Sequence, residues 1–198
     1  MKERPSSRTI QAIVIGASAG AVDALLQILP QLPDDYSLTV LIVVHLPPDS
    51  ESTLVPLLAS RCRINVKEAE DKEPIQPGTV YLAPPNYHLL VEPELILSLS
   101  SEEPVLFSRP SIDVLFESAA EAYGDSLAGI VLTGGNADGA QGLMTVESAG
   151  GLTFVQTPGT AAFSEMPQAA LDACPNARSL SLQDLATVLK EELPHIRR

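Results

Sequence analysis

Three residues with the chemistry of a hydrolase site each follow a predicted strand. Ser18 lies in the segment GASAG after the apolar stretch AIVI, His45 follows LTVLIVV, and Asp138 lies in the loop after LAGIVLT. Serine, histidine and aspartate can serve as nucleophile, general base and orienting carboxylate. Because ligands bind beyond the carboxyl ends of parallel strands, the sequence predicts that these three side chains meet at one edge of a sheet.

The turn around Ser18 fits two kinds of site. GASAG matches the G-x-S-x-G pattern of a nucleophile elbow, in which small residues permit a sharp turn between a strand and a helix. Backbone amides at that helix start, beginning with Ala19, can stabilise an oxyanion. The alternative is a phosphate-binding loop, but Ser18 replaces the middle glycine of G-x-G-x-x-G and no G-K-[ST] follows. The residues favour a hydrolase and leave a nucleotide-binding module as the weaker alternative.

Each of the other two residues also has a structural interpretation. His45 can be a strand-end histidine that is hydrogen-bonded only to backbone, and Asp138 can be the N-cap of the helix predicted to begin near Gly139. His88 is predicted to be structural at the start of a hairpin strand, and His195 to be solvated in a polar tail.

Composition excludes several classes of function. The chain has 198 residues and a formal charge of −13, which argues against a nucleic-acid-binding face. Its apolar stretches are too short to cross a bilayer, and no signal peptide is evident, so a cytoplasmic location is predicted. Cys62 and Cys174 have no ligand spacing around them, and we expect neither a metal nor another cofactor.

Hydrophobic patterning predicts one α/β domain. Buried strands are expected at residues 10–15, 38–44, 65–68, 78–82, 127–133 and 152–156, with a hairpin over residues 88–100. Helices are expected from residue 21 to Pro30 and at residues 51–61, 113–123, 140–148, 167–172 and 182–193. Alternating strands and helices indicate a mainly parallel, doubly wound sheet with helices on both faces. Residues 1–8 are predicted to be a disordered lead-in.

Several blocks in order resemble the catalytic domain of CheB-type protein-glutamate methylesterases. They are IGASAGAVDAL, VVHLPP, PGTVYLAPPNYHLLVE, RPSIDVLFESAA, VLTGGNADGAQGL and MPQAAL. The resemblance implies a catalytic domain over residues 9–193, a three-layer α/β/α fold and an antiparallel hairpin at one edge of the sheet. It also implies that Ser18 is the nucleophile, His45 the general base and Asp138 the triad carboxylate.

The chain departs from the family pattern near the site. Ala21 replaces the last glycine of G-A-S-x-G-G, and Ser108 precedes RPSID where many members carry histidine. In the loop T-G-M-G-x-D-G, Gly135 replaces the methionine and Asn136 the next glycine. Ala19, Gly135 and Asn136 are therefore predicted to line the oxyanion and substrate side, with a substrate fit that differs from the family's.

The resemblance implies an enzyme that hydrolyses methyl esters of glutamate side chains on bacterial chemoreceptors or related signalling proteins. Many members also deamidate receptor glutamines. Members typically carry an N-terminal phospho-receiver domain, so the chain is expected to be either a cut-out catalytic domain or a single-domain variant. In the second case, a partner in trans or the level of expression would regulate it. The altered loop after residue 133 keeps a second hypothesis open, a catalytically weak or inactive signalling module that binds a partner protein. The intact Ser18, His45 and Asp138 favour the enzyme.

Overall fold

The structure is a computed structural model that describes residues 9–45 and 53–196. The described strands are β1 (Ala12–Ala17), β2 (Thr39–Val44), β3 (Asn65–Glu68), β4 (Thr79–Leu82), β5 (His88–Val91), β6 (Leu97–Ser100), β7 (Leu127–Val131), β8 (Leu152–Gln156) and β9 (Arg178–Leu180). The α-helices are α1 (Ala21–Ile28), α2 (Leu54–Ala59), α3 (Ile112–Tyr123), α4 (Ala140–Ser148), α5 (Glu165–Ala173) and α6 (Leu182–Thr187). The chain continues from α6 through a π-helical segment, Val188–Glu192.

Seven parallel strands form one sheet in the order β3-β4-β2-β1-β7-β8-β9. From β1 the chain first builds the sheet through β2 to β3 and β4, and it then returns to β7 on the other side of β1. The strand order therefore switches direction between β1 and β7. This is the position at which open parallel sheets place their ligand sites.

Two apolar cores cover the two faces of the sheet. One contains side chains from α1, α2 and α6, including Leu25, Leu58 and Leu185. The other contains side chains from α3, α4 and α5, including Phe116 and Leu143. All six residues of β1 are buried, as are all six of β2, because helices cover both faces of these strands. The predicted layered α/β/α fold is confirmed.

The predicted hairpin is present as the antiparallel pair β5 and β6. It forms a separate two-stranded sheet beside the seven-stranded one and is not hydrogen-bonded to its edge. Leu89, Val91 and Leu97 bury their side chains in the core on the α3 side of the main sheet. The sequence predicted the pairing, whereas the apolar contacts with that core decide where the pair lies.

Other elements differ from the prediction at their ends. Strand β9 was not predicted, since its three residues carry no apolar alternation and pair only with β8. Helix α2 contains Pro56, as expected, and is shorter than predicted. The helix predicted at 182–193 is α-helical only to Thr187. The predicted lead-in at residues 1–8 and the start of the helix predicted at 51–61 lie outside the described residues.

Candidate active site

Parallel strand pairing places Ser18, which follows β1, between His45 at the end of β2 and Thr133 after the end of β7. Ala17 lies opposite Val44 in the β1–β2 register, and the His45 amide donates to the Ala17 carbonyl at 3.1 Å. On the other side of β1, the Ser18 amide donates to the Thr133 carbonyl at 2.9 Å. Since adjacent strands lie about 4.8 Å apart, Ser18 and His45 leave neighbouring strands side by side.

Thr133 fixes the turn that carries Ser18. Its hydroxyl donates to the Ala19 carbonyl at 2.9 Å and accepts from the Phe163 amide at 3.0 Å. The Thr133 amide donates to the buried side chain of Gln156 at 2.9 Å. Helix α1 begins immediately after Gly20, whose φ of 83° suits glycine. The half-buried Ser18 therefore follows a strand and precedes a helix, in a turn that β7 and β8 support.

His45 and Asp138 are in direct contact. The imidazole Nε2 lies 2.7 Å from the Asp138 Oδ2, and the His45 side chain is 12% exposed while that of Asp138 is fully buried. An ionised carboxylate only accepts hydrogen bonds, so Nε2 carries the proton in neutral His45. The other ring nitrogen, Nδ1, is then the one with a lone pair. This tautomer is the one that a general base at Nδ1 requires.

Asp138 accepts hydrogen bonds from the start of α3. Its Oδ2 accepts from the Ile112 amide at 2.7 Å, and its Oδ1 accepts from the Asp113 amide at 3.0 Å and the Ser111 hydroxyl at 2.9 Å. The N-terminus of a helix favours a negative charge, and four donors now surround this carboxylate. The interpretation of Asp138 as the cap of its own following helix is wrong, because its side chain caps α3 instead.

Helix α4 is capped by a different aspartate. Asp113 Oδ1 accepts from the amides of Gly139, at 2.9 Å, and Gly142. Burial raises the pKa of Asp113 to about 6, with a further contribution from the nearby charge of Asp138. Burial acts in the same direction on Asp138, but the hydrogen bonds from His45, Asp113 and Ile112 outweigh it and hold the pKa of Asp138 below its ordinary value. Asp138 therefore has the lower pKa of the two carboxyl groups and loses its proton first as the pH rises.

Close packing brings the start of α3 to the end of β1. A Cβ at Gly16 would overlap the Ile112 side chain, and a Cβ at Gly139 would approach the same side chain to 2.8 Å. Gly139 also has a φ of 99°, which glycine adopts without strain. Both glycines thus allow Ile112, and with it the amides that bind Asp138, to lie against β1.

The three predicted oxyanion-side residues lie in different settings. Ala19 is half-buried in the turn after Ser18, and Gly135 is exposed with open space where a Cβ would be. The Asn136 side chain contacts the candidate base, because its Nδ2 lies 3.4 Å from His45 Nδ1. Its Oδ1 accepts from the Asp138 amide at 3.1 Å.

Sequence reasoning missed the residues that support this site. Ser111, Asp113, Thr133 and Gln156 are all buried polar residues. Their types give no chemical signal in isolation, although Asp113 is the first residue of the helix predicted at 113–123, and capping residues occur at helix starts. His88 is buried, accepts from the Ser111 amide through Nδ1 and makes a hydrogen bond with the Glu103 carbonyl through Nε2. This agrees with its predicted structural role.

The described residues contain neither a candidate metal site nor a candidate membrane-spanning helix. Within ranges 9–45 and 53–196, no cluster of three or more His, Cys, Asp or Glu side chains is placed to bind a metal ion. In the same ranges, no helix has the length and apolar character that crossing a bilayer requires.

Comparison with known proteins assigns the family. The model of the CheB methylesterase family matches residues 13–189. The chain belongs to this family. The crystal structure of the Thermotoga maritima CheB methylesterase catalytic domain superposes with a TM-score of 0.87 at 29% identity, covering 91% of this chain and 97% of that one. The resemblance stated from the sequence blocks is therefore confirmed.

Two relatives differ in how much of their own length this chain covers. A putative protein-glutamate methylesterase/protein-glutamine glutaminase of Leptospira interrogans is 49% identical over 89% of this chain and 91% of its own length. A protein-glutamate methylesterase/protein-glutamine glutaminase of Burkholderia pseudomallei is 41% identical over 84% of this chain but only 46% of its own length. The chain thus spans nearly all of the first relative and about half of the second.

Proposed function

We propose that this protein is a serine hydrolase that removes methyl esters from glutamate side chains of bacterial chemoreceptors or related signalling proteins. The observation that supports the proposal is the strand register, in which Ser18 and His45 directly follow the paired residues Ala17 and Val44. The Nε2 atom of His45 is hydrogen-bonded to the buried Asp138. Membership of the CheB methylesterase family and the names of the relatives support the same activity.

The first half of the reaction forms an ester on Ser18. As His45 Nδ1 accepts the hydroxyl proton, Ser18 Oγ bonds to the ester carbonyl carbon of the substrate, which gives a tetrahedral oxyanion. Asp138 stabilises the resulting imidazolium through Nε2. When the intermediate collapses, the bond to the methoxy oxygen breaks, and the proton from His45 leaves with it as methanol.

The second half releases the product. A water molecule gives a proton to His45 Nδ1 as its oxygen bonds to the glutamyl carbonyl carbon, and the bond to Ser18 Oγ then breaks. Ser18 regains the proton from His45, and the substrate leaves with a free glutamate carboxyl group. In both halves, the amide of Ala19, in the turn that precedes α1, and that of Gly135 are our candidates for stabilising the oxyanion.

The same site supports a second reaction, deamidation of glutamine. The names of both relatives include a protein-glutamine glutaminase activity. The chemistry differs only in the leaving group, because the amide nitrogen of the intermediate accepts the proton from His45 and leaves as ammonia in place of methanol. A regulatory partner in trans is compatible with either reaction.

Release of methanol from a methylated receptor tests the proposal. The purified protein is incubated with a receptor cytoplasmic fragment that carries a labelled methyl group on its glutamates, and volatile label is counted. Ser18→Ala must abolish the release, while a matched Ser164→Ala variant on the exposed N-cap of α5 must keep it. No release from the wild-type protein would favour the non-catalytic binding module instead.

A further inference from the structure

A closed set of three hydrogen bonds connects His45 to two residues of one loop. His45 Nε2 donates to Asp138 Oδ2 at 2.7 Å, the Asp138 amide donates to Asn136 Oδ1 at 3.1 Å, and Asn136 Nδ2 lies 3.4 Å from His45 Nδ1. Both nitrogens of the imidazole are therefore held by residues that are only two positions apart in the chain.

The chemistry of the donors fixes which atom of the Asn136 amide faces the ring. The Asp138 amide can only donate, so the atom opposite it must be the carbonyl oxygen of Asn136. This leaves the NH₂ group of Asn136 pointing at Nδ1, which is the lone-pair nitrogen because Nε2 carries the proton. The contact is therefore a hydrogen bond donated by Asn136 to His45 and not a contact of two donors.

This contact occupies the nitrogen that has to accept the proton of the nucleophile. The Nδ1 atom has one lone pair in the plane of the ring, so Asn136 and Ser18 compete for it. The hydrogen bonds of Ser18 to other described residues are those of its backbone, with the Thr133 carbonyl and the Ala21 amide. Asn136 therefore holds the base in a state that is not engaged with the nucleophile.

We propose that Asn136 is a positioning residue that holds the His45 ring in its Nε2–H tautomer. Its side-chain amide keeps Nδ1 from accepting the proton of Ser18 until the substrate displaces that amide. The inference rests on the proposed function for the role of Ser18, but the Asn136–His45 contact itself does not. In each turnover the amide must turn away, because Nδ1 becomes a donor once it has taken the proton.

The side chain of Asn136 is suited to such a displacement. It is half-buried, and its neighbours Gly135 and Ala137 are exposed. At 3.4 Å the bond to Nδ1 is longer than usual, so it is weaker than the 2.7 Å bond on the Asp138 side. Among the described residues, the charged group in direct contact with the ring is Asp138, and the backbone amide of Asp113 on α3 donates to that carboxylate.

Two variants separate the hydrogen bond from the fold of the loop. Asn136→Ala removes the donor, while Asn136→Asp keeps an acceptor for the Asp138 amide and places a carboxylate oxygen opposite Nδ1. Ala137→Gly is the matched control, because it loosens the same loop at an exposed position and leaves the amide in place. The readouts are the rate at which a fluorophosphonate labels Ser18 and the ¹⁵N resonances of the His45 ring.

We expect labelling of Ser18 to be about two- to tenfold faster in Asn136→Ala, which is the range for the loss of one competing hydrogen bond. In Asn136→Asp it should be slower than in the wild type, because a carboxylate favours a proton on Nδ1. The Nδ1 resonance should move in Asn136→Ala and move toward the protonated form in Asn136→Asp. Ala137→Gly should match the wild type in both readouts.

Labelling that is unchanged or slower in Asn136→Ala overturns the inference, and so does an Nδ1 resonance that is the same in this variant and the wild type. The ring resonances are assigned by comparison with His45→Gln, since the chain has three histidines. They are measured whether or not the protein releases methanol. A failure of the proposed function is therefore distinguishable, because it removes the labelling of wild-type Ser18 and leaves the ¹⁵N readout intact.

Discussion

Asp113 and Asp138 each cap the helix that begins beside the other. Asp138 accepts from the first amides of α3, which contains Asp113, and Asp113 accepts from two amides at the start of α4, which follows Asp138. The exchange fixes the relative position of the two helix starts. The carboxylate that faces His45 is thus held by the packing of α3 on α4 as well as by its own loop.

Ser18 is expected to be the serine that reacts. Ser18→Ala should lower methanol release by about four orders of magnitude or more, since the nucleophile is lost while substrate binding remains. A fluorophosphonate should label Ser18 and no other serine, as peptide mapping by mass spectrometry will show. Labelling of Ser111 or Ser164 with Ser18 unmodified would overturn the assignment.

Asp138→Asn should damage both activity and stability. An asparagine amide would point its NH₂ group at two donors, either His45 Nε2 and the Ile112 amide or the Ser111 hydroxyl and the Asp113 amide. We expect turnover to fall about 10⁴-fold because the His45 tautomer is no longer enforced. Buried donors without acceptors should lower the free energy of unfolding by about 1–3 kcal/mol.

Thermal unfolding and kinetics at one pH measure both effects of Asp138→Asn. For a chain of this length the stability loss corresponds to a shift of the melting temperature by about 3–10 °C. A melting temperature equal to that of the wild type would mean that the four hydrogen bonds do not contribute as described. Full turnover in a folded variant would remove Asp138 from the proposed mechanism.

The pH dependence of the free energy of unfolding should include a contribution from the titration of Asp113. Burial raises its pKa from 3.8 to about 6, so the folded state binds the proton more tightly than the unfolded state. This contribution is fully present below pH 3.8 and is lost as the pH rises through about 6. The loss amounts to at most about 3 kcal/mol, from about 1.4 kcal/mol per pH unit.

Asp113→Asn should remove that component, because an amide oxygen can still accept from Gly139 and Gly142 and does not titrate. Urea unfolding of both proteins between about pH 4 and 7 gives the comparison, since the free energy of unfolding follows from a linear extrapolation. The difference between variant and wild type should grow in favour of the variant as the pH rises. A constant difference across this range would show that Asp113 does not titrate there.

Thr133→Val should impair the nucleophile turn without unfolding the protein. Valine has nearly the shape of threonine but cannot donate to the Ala19 carbonyl or accept from the Phe163 amide. We expect a loss of stability of about 1–2 kcal/mol and a reduced kcat with little change in KM. Thr187→Val is the matched control, because the exposed Thr187 hydroxyl on α6 donates to the Gln183 carbonyl near the start of the same helix.

The local sequence determined the elements and the identity of the candidate site residues. Continuous apolar stretches identified β1, β2 and β7 as buried strands, and Ser18, His45 and Asp138 were found because each follows such a strand. This works because burial and turn chemistry depend on neighbours in the chain. The order in which the strands pair was not contained in those patterns.

Only the tertiary structure decided how the site is held. Asp113 and Asp138 are 25 positions apart, and which helix each one caps depends on the packing of α3 against α4. Asn136 and His45 are 91 positions apart, and their contact exists because parallel pairing brings the ends of β2 and β7 to one edge, on either side of β1. Hydrogen bonds are short-ranged, so a sequence names the donors and acceptors, while the fold alone sets which of them meet.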